Sequence, residues 1–207
     1  MEVVDARDPG AWRRAEEALA SGGVVAMPTD TIYGVAAAIS HPDAVVRLFA
    51  LKDRDAAKPV AVLVADAEQA AVVAEMSEAT RVIAARFWPG ALTLVLPRAK
   101  GFDIDLGGAG HTVGVRAPAH DDLIRLCRRL GPLATTSANR SGHPTPGDAT
   151  GVANELAGTE VAVVVDAGPA PGGTASTVVR IEGSDLHVLR EGPITLGELH
   201  AALGGVT

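Results

Sequence analysis

Short apolar runs alternate with amphipathic stretches along the whole chain. Apolar residues recur at helical spacing over residues 11–20, and Ser21-Gly22-Gly23 then supplies a helix-ending signal. Continuous apolar runs are instead typical of buried strands. The sequence therefore predicts helices over residues 11–20, 42–52, 67–87 with an interruption near Met76-Ser77, 120–130, 148–157 and 195–203. It predicts strands over residues 24–27, 59–65, 91–96, 112–116, 132–136, 161–165, 176–181 and 186–190.

The order of these elements predicts one α/β domain over residues 1–207. Strands and helices mix without strict βαβ alternation, which favours a mixed, strongly twisted sheet. A chain of 207 residues suits a single domain of about 100–250 residues with a sizeable core. The loops hold most of the glycine, proline and hydroxyl residues, and loops on a rigid scaffold are where functional sites usually lie.

Charge and cysteine content limit the class of protein. The 18 basic and 25 acidic side chains give a formal net charge of −7, which argues against a coat for nucleic acid but permits a local basic site. The single cysteine, Cys127, allows no intrachain disulfide, and its place in a predicted helix favours a buried small hydrophobe. We expect a cytoplasmic protein without a membrane segment, since no apolar run reaches about 18 residues and no secretory leader is evident.

Several widespread catalytic motifs are absent from the sequence. It contains no P-loop, no GxGxxG after a strand and no GxSxG nucleophile elbow. Its six histidines show no metal-ligand spacing. Any chemistry therefore has to come from less common arrangements.

The segment PTDTIYG at 28–34 directly follows a predicted strand. Thr29 and Thr31 flank Asp30, and hydroxyls at a strand end can bind the amine, carboxylate or hydroxyl of a polar ligand. The alternative is a capped turn, in which Asp30 and Thr31 bond the local backbone. The segment alone leaves both interpretations open.

The segment LKDRDAAKP at 51–59 carries three cations in one short loop, namely Lys52, Arg54 and Lys58. Such a cluster could clamp a triphosphate, with the arginine as a fork and the lysines as point charges. The alternative is a solvated helix C-terminus, where cations suit the helix dipole.

Arg116 lies in an apolar strand, where a guanidinium has to be paired. It could take a ligand carboxylate in a bidentate contact or hold an internal Asp or Glu, and the internal ion pair is the commoner outcome.

Residues 134–146 run from a strand into a loop rich in hydroxyls, which suits phosphate or ribose contacts but also an ordinary polar loop. Ser176 and Arg190 are either ligand contacts or ordinary strand-end residues.

The order and spacing of these segments resemble the threonylcarbamoyl-adenylate synthase family, the YrdC-like domain in its single-domain form. The resemblance extends from about residue 11 to residue 194. It rests on PTDTIYG, a K-x-R followed by Lys-Pro, FWPGALTLVL, VGVRAP, SANRSGHPTP, STVVR and LREG.

This resemblance implies both a fold and a reaction. The family's fold is a twisted, mixed, partly open barrel-like sheet around a large positively charged cavity. Its enzymes join L-threonine, bicarbonate and ATP into threonylcarbamoyl-adenylate and release pyrophosphate, with Mg²⁺ held mainly by ATP and water. A separate threonylcarbamoyl transferase complex then modifies adenosine 37 of tRNA, so transferase contact and weak tRNA binding are implied.

The resemblance also implies roles for individual residues. Lys52 and Arg54, as the phosphate clamp, are the candidate catalytic residues. The implied ATP contacts are Lys52, Arg54, Lys58, Thr112, Ser137, Asn139, Thr145 and Arg190. The implied threonine contacts are Thr31, Arg116, Thr135 and Ser176. Leu63 stands where some relatives have a histidine close to the threonine, and no protein metal ligand or general base is implied.

Two other functions compete with this one. The chain could be a double-stranded RNA-binding module without catalysis, although its acidic balance and six aromatic residues speak against that. It could also perform carbamoyl-adenylate chemistry, as does the related domain of hydrogenase maturation proteins, which are much longer chains.

Overall fold

The computed structural model describes residues 1–51, 59–108, 110–183 and 185–204. Its strands are β1 (Glu2–Asp5), β2 (Val24–Met27), β3 (Gly34–Ala38), β4 (Ala61–Leu63), β5 (Leu92–Pro97), β6 (Thr112–Arg116), β7 (Leu133–Ser137), β8 (Val161–Asp166), β9 (Thr177–Glu182) and β10 (Asp185–Arg190). Its helices are α1 (Ala11–Ala20), α2 (Pro42–Ala50), α3 (Ala67–Ala70), α4 (Glu78–Phe87), α5 (Asp121–Leu130), α6 (Ala149–Glu155) and α7 (Leu196–Gly204).

Within these ranges, ten strands form one sheet in the order β1-β8-β2-β3-β7-β4-β6-β5-β9-β10. The pairs β1–β8, β2–β8, β4–β6 and β5–β9 are parallel, and the other neighbouring pairs are antiparallel. The predicted mixed α/β fold is confirmed. The order begins at β1 and ends at β10, so the sheet is open and not closed into a barrel.

Both faces of the central strands are buried, and successive residues serve opposite faces. On β3, Val35 and Ala37 belong to one core and Ala36 and Ala38 to the other. The first core packs against α2, α4 and α6, and the second packs against α1 and α5. Cys127 lies fully buried in the second core, as predicted, and its burial raises the pKa of the thiol to about 12.

Two strands were not predicted from the sequence, and one prediction was too long. Strand β3 reads GVAAA, and because alanine is depleted in strands, the segment carries a weak strand signal although it lies mid-sheet. Strand β1 is a short edge strand that pairs only with β8 in the described sheet. Strand β4 covers three residues of the predicted 59–65. The predicted interruption of 67–87 is confirmed, since the side chain of Ser77 accepts a hydrogen bond from the Thr80 amide and caps α4.

One face of the sheet continues past the helices that cover it. Leu133 of β7 packs in the second core beside α5, while Thr135 and Ser137, two and four residues further, line a cavity. Strand β4 repeats this pattern with Leu63 and Ala61. Because alternate residues of a strand share a face, the cavity lies on the same face as the second core. None of the helices in the described ranges is long and apolar enough to cross a membrane.

Candidate active site

The open part of this sheet face forms a cavity of about 270 Å³. Strands β4, β5, β6, β7 and β9 contribute to its wall, together with the segments that precede β3 and β9 and the end of β10. Ala61 and Gly114 face each other across β4 and β6, so small side chains leave room here. Seven of the twelve predicted site residues line this cavity: Thr31, Thr112, Arg116, Thr135, Ser137, Ser176 and Arg190.

Arg116 is the most enclosed charged group of the cavity, with 6% of its surface exposed. Its Nε donates to the Gly90 carbonyl at 2.9 Å, Nη1 donates to Thr31 Oγ1 at 2.9 Å, and Nη2 donates to Asp30 Oδ1 at 2.6 Å. Burial lowers the pKa of the guanidinium, and the Asp30 carboxylate opposes that shift. The internal ion pair, one of the two predicted alternatives, is therefore present.

The loop before β3 is fixed by its own side chains. Thr29 Oγ1 donates to the Ile32 carbonyl at 2.7 Å and accepts from the amides of Thr31 and Ile32 at 3.0 and 3.2 Å. The hydroxyls of Thr29 and Thr31 lie 2.9 Å apart. The predicted capped turn thus exists, and it presents Thr31 to the cavity as well, so the two interpretations of this segment are compatible.

The segment before β9 packs against the loop before β3. Tyr33, fully buried, donates to the Gly168 carbonyl at 2.7 Å and accepts from the Ala167 amide at 3.2 Å. A Cβ atom on Gly172 would lie 2.8 Å from the carbonyl oxygen of Asp30. Only glycine therefore fits this contact, which locks the two loops together.

Ser176, next to β9, and Arg190, at the end of the edge strand β10, form a second polar group of the cavity wall. The Arg190 guanidinium donates to the Ser176 carbonyl through Nε at 3.0 Å and through Nη2 at 2.8 Å, and Nη2 also reaches Ser176 Oγ at 3.0 Å. The buried hydroxyls of Ser176 and Thr93 lie 2.8 Å apart. Partial burial lowers the pKa of the Arg190 guanidinium, although the residue as a whole is exposed, and Arg116 lowers it further by charge repulsion.

The other predicted residues differ in their placement. Thr135 faces the cavity and donates to the Val35 carbonyl at 3.0 Å. Asn139 and Thr145 do not line the cavity in the described part of the chain. Thr145 donates to Asn139 Oδ1 at 3.1 Å, and Asn139 Nδ2 donates to the Arg140 and His143 carbonyls at 2.8 and 2.7 Å.

These contacts make residues 138–148 a loop that bonds to itself. Glu155 of α6 holds the loop from outside, since its carboxylate accepts from the Arg140 amide and lies 2.8 Å from His143 Nδ1. The Arg140 amide is the main cause of the lowered pKa of Glu155. Among the described residues, Asn139 and Thr145 therefore lie next to Ser137 in the chain but do not line the cavity with it.

The predicted large positively charged cavity stays a prediction. Lys52, Arg54 and Lys58 lie outside the described residues. Among the described residues of the wall, the charged ones are Arg116 and Arg190, and Asp30 balances the first.

Sequence reasoning missed several contributors to the site. Thr93 is a lone hydroxyl in the apolar run ALTLVL, and its position in that run was the available signal. Gly90 contributes only its carbonyl to Arg116, which a sequence pattern does not reveal. Tyr33 belongs to a recognised motif, but its two partners lie 134 and 135 residues away.

The described residues do not form a protein site for Mg²⁺. No cluster of three or more His, Cys, Asp or Glu side chains within the described ranges could hold a metal ion. Asp30, which contacts Arg116 of the cavity wall, already accepts a hydrogen bond from that guanidinium.

Comparisons of the sequence give a consistent result. The profile of the Sua5/YciO/YrdC family, described as telomere recombination, matches residues 17–192. A Mycobacterium tuberculosis protein, named as a candidate threonylcarbamoyl-AMP synthase, is 40% identical over 208 residues, which cover 98% of this chain and 95% of that protein. The threonylcarbamoyl-AMP synthase of Bacillus subtilis is 36% identical over 196 residues, which cover 93% of this chain and 56% of that protein.

Solved structures agree with these matches. Pyrococcus abyssi Sua5 complexed with L-threonine has a TM-score of 0.89 at 36% identity, covering 98% of this chain and 60% of that chain. E. coli YciO has a TM-score of 0.82 at 22% identity over 96% of this chain, a likeness that supports the fold alone. The chain thus spans nearly all of the mycobacterial relative but less than two thirds of the Bacillus and Pyrococcus proteins. The predicted resemblance is confirmed, and the chain belongs to the Sua5/YciO/YrdC family.

Proposed function

We propose that this chain is a threonylcarbamoyl-AMP synthase, which joins L-threonine, bicarbonate and ATP into threonylcarbamoyl-adenylate and releases pyrophosphate. The observation that carries the proposal is that predicted site residues from five separate motifs meet in one cavity. Relatives that carry this name at 36–40% identity support it. The product would serve N6-threonylcarbamoyladenosine modification of tRNA at position 37.

The threonine end of the cavity is assigned to the surroundings of Arg116. Its guanidinium would receive the substrate carboxylate, because planar guanidinium groups suit bidentate carboxylate binding. Thr31, Thr135 and Ser176 place hydroxyl groups on the same cavity wall, where they can bond the substrate's polar atoms. Pyrococcus abyssi Sua5, whose structure contains L-threonine, supports this choice of ligand.

The nucleotide is assigned to the surroundings of Arg190, which adjoin the threonine site because Arg190 bonds to Ser176. Thr112 and Ser137 line the same cavity, and the motif at 51–59 would add Lys52, Arg54 and Lys58 as the phosphate clamp. Asn139 and Thr145 are proposed to border the nucleotide, and their contacts with each other hold the shape of the loop at 138–148. The proposal needs no covalent attachment of the substrate to a side chain.

The chemistry consists of two bond-forming steps. The deprotonated threonine amine attacks the carbon of bicarbonate, and a carbamate and water result. A carbamate oxygen then attacks the α-phosphorus of ATP, the bond to the β-phosphate oxygen breaks, and pyrophosphate leaves. The described residues contribute orientation and charge stabilisation, which account for most of the catalysis in transfers of this kind. The amine's proton passes to bicarbonate, water or phosphate.

The proposal also includes the surroundings of the reaction. Mg²⁺ would be held by the ATP phosphates and water, in keeping with its preference for phosphate oxygens and retained waters. A downstream threonylcarbamoyl transferase complex would consume the product, with weak tRNA binding by this chain. We place the reaction in the cytoplasm, where ATP and tRNA are available.

Pyrophosphate release from ATP tests the proposal, with threonine and bicarbonate each present or omitted. We expect release only when both are present, and we expect its loss in Arg54→Ala. Arg13→Ala is a matched control, since Arg13 is a highly exposed cation of α1 with a surface ion pair to Glu17. Formation of ADP and phosphate, or release without threonine, would contradict the proposal. Tight, salt-sensitive duplex binding without turnover would instead favour the RNA-binding alternative.

A further inference from the structure

Asp30 has a defined contact but no part in the reaction as described above. We propose that Asp30 makes the threonine site selective for zwitterions: as the fixed counter-charge of Arg116, it disfavours ligands that carry a carboxylate but no ammonium group. This inference rests on the proposed function, because it takes Arg116 as the receiver of the substrate carboxylate.

The first step of the argument is that Asp30 is held in place. Its carboxylate accepts the 2.6 Å hydrogen bond from Arg116 Nη2, and the Asp30 side chain is 15% exposed. Its carbonyl oxygen lies against Gly172 so closely that a Cβ there would come within 2.8 Å. Thr29 fixes the turn that follows through its three bonds to the backbone of Thr31 and Ile32. The backbone of Asp30 is therefore fixed, and the bond to Arg116 places its carboxylate.

The second step is that Arg116 retains donors for a ligand. A guanidinium has five N–H groups, two on each terminal nitrogen. Gly90, Thr31 and Asp30 accept one each, and no other described residue takes the remaining two. Among the described residues, Arg116 and Thr31 belong to the cavity wall and Asp30 does not. A carboxylate can thus reach the terminal nitrogens without displacing Asp30.

The third step is the charge balance. Arg116 and Asp30 form a neutral pair at a site where both side chains are largely buried. A simple carboxylate added to this pair leaves one uncompensated negative charge in a desolvated place, which is costly. A zwitterion brings an ammonium group beside its carboxylate and adds no net charge. The pair therefore favours an amino acid over the same molecule without its amine.

Arg190 does not remove this preference while nucleotide is bound. It is the other described cation of the cavity wall; burial lowers the pKa of its guanidinium, and the charge of Arg116 lowers it further. In the proposed complex the ATP phosphates balance Arg190, so the selectivity is best measured with a non-hydrolysable ATP analogue present.

Isothermal titration of two ligands tests the inference. L-threonine and 3-hydroxybutyrate, its counterpart without the amine, are titrated into the wild type, Asp30→Asn and Asp30→Glu in bicarbonate-free buffer. The asparagine keeps an acceptor for Arg116 and removes the charge, so we expect the preference for threonine to fall at least about tenfold, or 1.4 kcal/mol. Asp30→Glu keeps the charge and should retain the preference even if both affinities fall.

Controls separate selectivity from a general loss of structure. Asp103→Asn, at an exposed loop position, should leave the preference unchanged. If both ligands weaken equally in Asp30→Asn, Asp30 is only structural and the inference is overturned. Should that variant fail to fold, Asp30→Ser removes the charge in its place, and we expect the same loss of preference. In the wild type, the affinity for threonine should also fall as pH rises through the pKa of the ligand's ammonium group, while the affinity for 3-hydroxybutyrate stays flat. Parallel behaviour of the two ligands overturns the inference.

The proposed function can fail separately. Wild-type pyrophosphate release that needs threonine and bicarbonate, combined with an unchanged preference in Asp30→Asn, overturns the role of Asp30 alone. Absence of both threonine binding and pyrophosphate release overturns the role of Asp30 together with the proposed function.

Discussion

Two arginines of the same cavity wall differ in their burial and in their partners. Arg116 is buried, and three groups from two separate loops, Gly90, Thr31 and Asp30, accept its hydrogen bonds. Arg190 lies exposed at the end of the edge strand β10 and donates only to Ser176 among the described residues. No carboxylate within the described ranges forms an ion pair with Arg190.

This difference in burial and ion pairing indicates which kind of ligand each arginine suits. A buried guanidinium needs an internal counter-charge, so Arg116 is oriented before any ligand arrives and offers a neutral, directional pair. Arg190 has no counter-charge among the described residues, which suits a polyanion such as a triphosphate. This division between the two arginines fits the proposed substrate pair of amino acid and nucleotide.

Arg116→Met is expected to have the largest effect on stability. Removal of the guanidinium leaves the Asp30 carboxylate buried without a partner, and we expect a loss of about 3–5 kcal/mol in the free energy of unfolding. Denaturant unfolding measures it. Asp30→Asn combined with Arg116→Met should recover much of that loss, because no charge is then left unpaired. An equal loss in the double variant would show that packing, and not the ion pair, accounts for the effect.

The sequence predicted which residues line the site better than it predicted which of them bond to each other. The strand placement of Arg116 required a partner, and an internal acid was one of the two predicted choices. Which acid it is depends on register and loop packing, since Asp30 lies 86 residues away in the chain. Strand β3 was missed because its alanines carry little strand preference, and it is a strand only because both of its faces are buried.

The loop at 138–148 shows a different limit of sequence reasoning. Asn139 and Thr145 have the residue types of ligand contacts, and the same types commonly bond a nearby backbone. In the structure they bond each other and the loop. Composition and spacing do not separate these two uses, because both need the same donors and acceptors in the same order.

Gly172→Ala probes how firmly Asp30 is held. The new methyl group would lie within 3 Å of the Asp30 and Thr31 backbone, so we expect a loss of about 1–3 kcal/mol from overpacking, together with weaker threonine binding. Gly147→Ala is the matched control, because nothing lies within 4 Å of its Cβ position and its φ is not in the left-handed region. Thermal unfolding and threonine titration measure both variants. Equal behaviour of the two alanine variants would contradict a tight contact at Gly172.

Arg190→Met is expected to have the smallest effect on stability. It tests whether the two arginines bind different substrates. Arg190 is exposed and bonds only to Ser176 in the described structure, so its removal should cost about 1 kcal/mol or less. Its charge, however, is proposed to meet the nucleotide, and we expect the KM for ATP to rise about tenfold, equivalent to 1.4 kcal/mol. The Kd for threonine should change less than the KM for ATP, because Arg116 and its partners stay in place and only Ser176 loses its bonds to Arg190. Steady-state kinetics with each substrate varied in turn measure this separation. If the variant loses threonine binding and ATP binding to the same extent, the two arginines act as one cationic site. The proposed assignment of Arg116 to threonine and Arg190 to the nucleotide would then be wrong.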